Sequence, residues 1–136
     1  MESETQKNDA SFDNQEDWFL QTLVEFVSSD VNSHIGISVA TNGFIVSGLL
    51  VSAQRYFMGV AEQTRNSTSV SSGFAEFLEK TGENYKLDFS KRAPIYYHLE
   101  NASIMSTQKG ALKIKFWRGR ITEVSALTLE TWKELE

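Results

Sequence analysis

Hydrophobic and polar positions alternate most clearly in residues 111–129, which read ALKIKFWRGRITEVSALTL. Leu112, Ile114 and Phe116 take every second position, and this period of two predicts a half-buried strand. Arg118 and Gly119 favour a turn after it, so we expect a second strand to follow. The end of the chain is thus predicted to contribute two strands to a sheet.

A second β region precedes it in residues 35–51. Its apolar residues alternate up to Asn42 and Gly43, two residues that tolerate positive φ, and residues 44–51 then run apolar. This pattern predicts a β-hairpin with a type I′ turn and a second strand that is central in the sheet. Gly48 inside that strand indicates a bulge or a sharp bend.

Helical spacing occurs before and after this hairpin. Asp13 or Asn14 is expected to cap a first helix, whose apolar stripe should pack on the core. The residues of that stripe are Trp18, Phe19, Thr22, Leu23, Phe26 and Val27. Ser52 is the expected N-cap of a second helix that ends in the polar stretch 66–69, and a shorter helix should end near Gly82.

After the helical excursion, Pro94 is expected to begin a strand that reaches Leu99, with Glu100 and Asn101 forming a tight turn. These segments predict an α+β fold: an N-terminal helix, a strongly curved antiparallel sheet of about five strands, and a helical segment inserted between its halves. A small barrel, Sm-like or SH3-like, is the favoured closure.

The composition fits one domain, because the chain has 136 residues of which 40% are hydrophobic. Residues 1–14 are expected to be a disordered acidic tail, and residues 15–136 a single α+β domain. The chain has no cysteine, which excludes disulfides and thiolate sites. It shows neither a signal peptide nor an apolar run of membrane-spanning length, so we expect a soluble, intracellular protein without membrane partners.

Charge is segregated along the chain, whose net charge is -5. Residues 1–17 contain six acidic residues and one lysine, whereas residues 86–120 contain eight basic residues and two acidic ones. An ordinary solvated face and a solubilising tail would explain this pattern. A surface that binds polyanions, or the acidic tails of other copies, would explain it too.

Residue types that support catalysis are not grouped in the sequence. His34 and His98 lie in different elements without a carboxylate or second histidine at ligand spacing, and His98 is expected to be a surface or hydrogen-bonded side chain. Neither a nucleophile elbow nor a glycine-rich phosphate loop occurs. We therefore predict no catalytic residues, no cofactor, no metal and no enzyme activity.

The remaining candidate is a basic and aromatic surface on the predicted strand of residues 111–120, expected to face away from the core. Its residues are Lys113, Lys115, Trp117, Arg118 and Arg120. Basic side chains neutralise phosphates and an indole stacks on bases, so nucleic-acid binding is one interpretation. Lysines also occur on solvated sheet faces and edges without any binding role, and the acidic net charge makes a nucleic-acid partner unlikely.

Two family resemblances follow from these patterns. Asn42, Gly43, Gly48 and Leu50 resemble the first motif of Sm and Lsm proteins, and residues 116–119 resemble the second. The chain departs from the first motif at Gln54 and Met58, where Sm proteins carry an aspartate and an asparagine. This resemblance implies an Sm-like nucleic-acid-binding module as the alternative function.

A longer resemblance is to the GvpU family of gas vesicle accessory proteins. Residues 37–57, 95–104 and 113–124 carry it, and the segment FWRGRI is its most specific part. It implies a cytoplasmic, non-enzymatic protein that acts through protein contacts at the vesicle surface or in vesicle clustering. Implied partners are other gas vesicle proteins or the protein itself as a homo-oligomer. Charge segregation would make self-association sensitive to salt, and exposed Trp117 or Trp132 would add hydrophobic adhesion.

Overall fold

The structure is a computed structural model that describes residues 18–88, 93–106 and 110–131. The helices and strands are, in chain order, α1 (Trp18–Ser28), β1 (Ile35–Thr41), β2 (Phe44–Val51), α2 (Ala53–Arg65), α3 (Phe74–Asp88), β3 (Tyr96–Ser106), β4 (Gly110–Arg120), a 3₁₀ helix (Ile121–Glu123) and β5 (Val124–Thr128). The predicted α+β fold with an inserted helical segment is confirmed. The predicted tail and the caps Asp13 and Asn14 lie outside the described residues.

The five strands form one antiparallel sheet in the order β4, β3, β2, β1, β5. β2 lies at its centre, as predicted. β4 and β5 lie at opposite edges, yet only Ile121–Glu123 connects them. The four Cα–Cα steps from Arg120 to Val124 reach at most about 14 Å, whereas the outer strands of a flat five-stranded sheet lie about 19 Å apart, so the sheet must curl. Within the described residues β4 and β5 do not pair, and the sheet is therefore open and only loosely like a barrel.

The hairpin turn and the bulge of β2 form as predicted. Asn42 and Gly43 both have positive φ, 51° and 84°. The register of β2 with β3 shifts at Gly48, where an added Cβ would lie 3.1 Å from the carbonyl oxygen of Glu100. Asn101, on the facing strand, also has positive φ, 54°. The two strands therefore bend together at this point.

Two predicted turns are wrong. Glu100 and Asn101 lie within the continuous strand β3, because the positive φ of Asn101 is taken up by the bulge. Arg118 and Gly119 lie within β4, and the chain turns only at the 3₁₀ helix. Gly119 has a packing role, since a Cβ there would collide with the ring of the fully buried Tyr97.

Helix α1 packs on the sheet with a face that its aromatic pattern did not indicate. Leu20, Val24 and Val27 are buried in the main core. Trp18 and Phe26, which were predicted to pack inward, are 64% and 59% exposed. The aliphatic side of this 11-residue helix therefore faces the core, and Trp18 and Phe26 are exposed outside that side.

Helices α2 and α3 pack against each other around a separate, smaller core. Ser52 caps α2 as predicted, accepting a hydrogen bond from the backbone N–H of Arg55 at 3.0 Å, and α2 ends at Arg65. The predicted end of α3 at Gly82 is wrong. Gly82 lies inside α3 because the two helices approach closely there, and an added Cβ would lie 3.1 Å from the Cβ of Phe57.

The main core lies between α1 and one face of the curled sheet. Its fully or almost fully buried residues come from α1, β1, β2, β3 and the 3₁₀ helix, and are Leu20, Val24, Val27, Ile37, Val39, Val46, Leu50, Tyr97, Leu99, Ala102 and Ile121. Two hydrophobic cores thus exist, one under α1 and one within the helix pair, and strands β3 and β4 lie between them.

Candidate protein-binding surface

Strand β4 carries the predicted surface and forms one edge of the sheet. Within the described residues it pairs with β3 alone, so one side of its backbone has no neighbouring strand. Lys113, Lys115, Arg118 and Arg120 are all exposed on it. The basic half of the predicted surface is therefore accessible.

Trp117 was predicted to face away from the core, and this placement is wrong. It is half-buried, packs against the main core, and donates its indole N–H to the hydroxyl of Tyr97 at 3.1 Å. The pKa of that Tyr97 hydroxyl is raised overall. Burial raises it most, the hydrogen bond from Trp117 lowers it, and nearby Glu123 raises it. The indole is thus a packing group, and the nucleic-acid interpretation loses its stacking residue.

Arg118 is held on the opposite side of β4 by neutral groups. Its Nε–H donates to Nε2 of His98 at 3.1 Å, and one terminal nitrogen donates to the hydroxyl of Tyr85. Its guanidinium carbon lies 3.8 Å from the ring centre of Tyr96, within cation–π range. The guanidinium carbon of Arg120 lies 5.8 Å from the same ring. We call Arg118, Arg120 and Tyr96 the arginine stack.

His98 supports the arginine stack from within. It is 2% exposed, and its ring centre lies 4.6 Å from that of Tyr56 and 6.4 Å from that of Tyr85. Burial, and then the charge of Arg118, lower the pKa of His98 to about 3. The imidazole is therefore neutral at pH 7, and the hydrogen bond assigns Nε2 as the acceptor and Nδ1 as the protonated nitrogen.

The basic side chains of β4 have no carboxylate partner among the described residues. The ion pairs that the described residues do form lie elsewhere: Arg55 with Glu100 at 2.5 Å, Arg65 with Glu62 at 2.6 Å, and Arg65 with Glu79. The first links α2 to β3 and the other two lie within the helix pair. The positive charge of β4 is thus left uncompensated by the folded part that the structure describes.

Tyr96, His98 and Tyr85 are parts of this surface that sequence reasoning missed. The alternation of Tyr96 and His98 with buried residues of β3 places both on the face of Arg118, since His98 and Arg118 are cross-strand partners. Strand pairing is the missing information: with β3 and β4 aligned, the three side chains become neighbours. Tyr85 comes from α3, about thirty residues away, and no local signal in the sequence indicates it.

A second exposed surface lies on α1, where Trp18, Phe19 and Phe26 stand out of the helix. The rings of Trp18 and Phe19 contact each other edge to face at 6.0 Å. Aromatic side chains in contact on a helix surface offer apolar area to a partner.

Across the described ranges, no three histidine, aspartate or glutamate side chains are grouped so that they would hold a metal ion. None of the described helices has the length and apolarity needed to cross a membrane.

Comparison with known proteins agrees with the resemblance in the sequence. No curated protein matches the chain. The model of one protein family, described as "Gas vesicle protein GvpU-like", matches residues 17–132, which include every described helix and strand. The chain is therefore a member of the GvpU-like gas vesicle protein family.

Proposed function

We propose that the protein is a non-enzymatic gas vesicle accessory protein that acts in the cytoplasm through protein contacts, at the vesicle surface or in vesicle clustering. Its partners are other gas vesicle proteins or a second copy of the chain. The family match over residues 17–132 is the observation that supports the vesicle role. The proposed contact surface consists of the exposed basic residues of β4, which are Lys113, Lys115, Arg118 and Arg120.

Electrostatics supports contacts through side chains rather than through strand pairing. Exposed lysines on an edge strand oppose the addition of another strand, because each added strand must desolvate them. The same lysines attract an acidic protein surface, and this attraction falls when salt reduces the screening length to about 10 Å at 0.1 M. The proposed contact is therefore salt-sensitive.

The aromatic side of α1 supports a second, less salt-sensitive contribution. Trp18 and Phe26 expose more than half of their surface, 64% and 59%. Burying them in a contact removes apolar area from water, which is favourable at any ionic strength. Association driven by both surfaces would weaken with salt without vanishing.

Flotation with purified gas vesicles tests the proposal, because vesicles rise on centrifugation and carry bound protein with them. Binding by the full chain is expected to fall from low to high salt. Arg120→Gln should weaken it about two- to fivefold, the effect of one screened surface charge. Lys80→Gln is the matched control, since Lys80 is an exposed basic residue of α3 that lies outside the proposed contact surface.

Two outcomes would contradict the proposal. Absence of flotation with vesicles would remove the vesicle role. Binding or self-association that responds neither to salt nor to deletion of residues 1–14 would remove the electrostatic mechanism. Retention of RNA or DNA by the unaltered protein on a gel, lost in Arg120→Gln, would instead favour the nucleic-acid-binding alternative.

A further inference from the structure

The guanidinium of Arg118 is fixed in place with hydrogen-bonding capacity to spare. A guanidinium has five N–H donors, of which two are used by His98 and Tyr85. Stacking on Tyr96 at 3.8 Å holds its plane. A cation whose orientation is already set loses little side-chain entropy when it binds an anion, so Arg118 is preorganised for a ligand.

Every described group that holds Arg118 is uncharged. Tyr96 and Tyr85 contribute a ring and a hydroxyl, and the low pKa of His98 keeps its imidazole neutral. Arg120 adds a second guanidinium on the same ring. Two cations beside one aromatic ring, with no described carboxylate within ion-pair distance, favour a carboxylate ligand that accepts paired hydrogen bonds.

The first turn of α1 contacts the chain just before strand β3, which carries Tyr96 of the arginine stack. The side-chain amide of Gln21, in the first turn of α1, donates to the carbonyl oxygen of Pro94 at 3.2 Å. Pro94 lies two residues before Tyr96, the cross-strand partner of Arg120. One helical turn and two extended residues separate the beginning of α1 from the stack, a distance within about 20 Å.

The residues that precede α1 carry the complementary charge. Residues 1–17 contain six acidic residues and one lysine, and Asp13, Glu16 and Asp17 lie within five residues of Trp18. A fully extended chain spans about 3.4 Å per residue, so the acidic residues from Glu2 to Asp13 have about 17 Å of chain or more before Trp18, the length needed to reach the stack. A tether this short gives an effective concentration in the millimolar range, which favours the same chain over a second copy.

We propose that the arginine stack binds the acidic segment of residues 1–17 of its own chain. The segment then neutralises the two guanidiniums of β4 that an acidic partner would otherwise contact. It acts as an internal competitor, and partner binding at Arg118 and Arg120 requires its displacement. This inference goes beyond the proposed function and holds whether or not the partner is a vesicle protein.

Paramagnetic broadening measures the contact directly, because the chain has no cysteine and one can be added at a chosen position. A nitroxide on Ser11→Cys, between Asp9 and Asp13, should broaden the side-chain N–H signals of Arg118 and Arg120 in the isotopically labelled full chain. The broadening should be strongly reduced when Glu4→Gln, Asp9→Asn and Asp13→Asn are combined, and at high salt. The three substitutions change the net charge of residues 1–17 from -5 to -2. All three precede α1, and urea unfolding of the variant checks that the stability of the domain is unchanged.

A mixed sample separates the same chain from a second copy. Spin-labelled protein without isotope is combined with isotopically labelled protein without nitroxide, and no broadening of the arginine signals is expected. Broadening in this sample would overturn binding within one chain and show binding between copies. Equal broadening in the triple variant would show that tethering alone brings the label near, which would also overturn the proposal.

Arg120→Gln and Lys115→Gln serve as matched variants on the same strand. Only Arg120→Gln should reduce broadening at Arg118, because Lys115 lies outside the arginine stack. Vesicle flotation does not enter this experiment. A protein that shows the contact but does not bind vesicles would refute the proposed function and leave the inference intact. A protein that binds vesicles but does not show the contact would refute the inference and leave the proposed function intact.

Discussion

At the scale of single residues, His98 shows how a polar side chain can be buried without cost to hydrogen bonding. Its Nε2 accepts from Arg118, and no buried side-chain nitrogen or oxygen in the described residues lacks a partner. Burial of a neutral imidazole beside a permanent cation is stable only while the imidazole stays neutral. The pair therefore ties folding to proton concentration.

The consequence for stability follows from the pKa of His98, which is about 3 in the folded chain against an ordinary value of 6.5. Between these values the unfolded chain binds a proton that the folded chain does not, so stability falls as pH falls. The loss from pH 7 to pH 5 should be about 2 kcal/mol, measured by urea unfolding. His98→Gln, whose amide can accept from Arg118, should remove this part of the pH dependence. If the stability of His98→Gln fell with pH as steeply as that of the unaltered protein, His98 would not be the group responsible for the loss.

At the scale of elements, the sequence was sufficient to predict features that depend on residues close together in the chain. Asn42 and Gly43 set the hairpin turn, and Ser52 caps α2 through a bond to a residue three positions on. Such features depend on neighbouring residues alone, so the sequence indicates them.

Predictions failed where packing between distant elements decides. Gly82 stays helical because α2 presses against it, and Phe26 points outward because aliphatic residues of α1 face the core. Trp117 turns inward because the hydroxyl of Tyr97 receives its indole N–H. The candidate site was predicted in part: its basic side chains lie on an exposed strand, whereas the aromatic and histidine groups that hold them come from β3 and α3.

The contact between β3 and β4 yields a testable prediction at Gly119. A Cβ at this position would meet the ring of Tyr97, which is fully buried and has no free space to move into. Gly119→Ala should therefore lower the free energy of unfolding by about 1–3 kcal/mol, the usual effect of overpacking. Lys115→Ala, an exposed change on the same strand, should stay within about 0.5 kcal/mol. Equal midpoints of urea unfolding for the two variants would show that the ring of Tyr97 moves to accommodate the added methyl group.

At the scale of the whole molecule, the two hydrophobic cores indicate two levels of stability. The helix pair has its own small core and meets the sheet through a few contacts, chiefly the Arg55 to Glu100 ion pair and the rings around His98. The sheet and α1 share the larger core. Regions with little buried apolar contact to the rest open first.

Native-state hydrogen exchange tests this division. Amides of α3 should exchange through an opening of lower free energy than amides of β2, and they should do so before global unfolding as denaturant is raised. The amides of β1 provide the control, because they pair with β2 and should follow the global transition. Convergence of α3 and β2 on one free energy at all denaturant concentrations would show a single cooperative unit.

The pairing of the first strand, β1, with the last, β5, has a consequence for folding during protein synthesis. β1 pairs with β5, and the partners Ser38 and Thr128 are separated by almost the whole domain. During synthesis, the outer edge of the apolar strand β1 stays uncovered until β5 has left the ribosome, and uncovered strand edges recruit other chains. β5, which follows the other four strands in the chain, thus covers the outer edge of the first strand, and folding of the sheet is completed only after β5 has been translated.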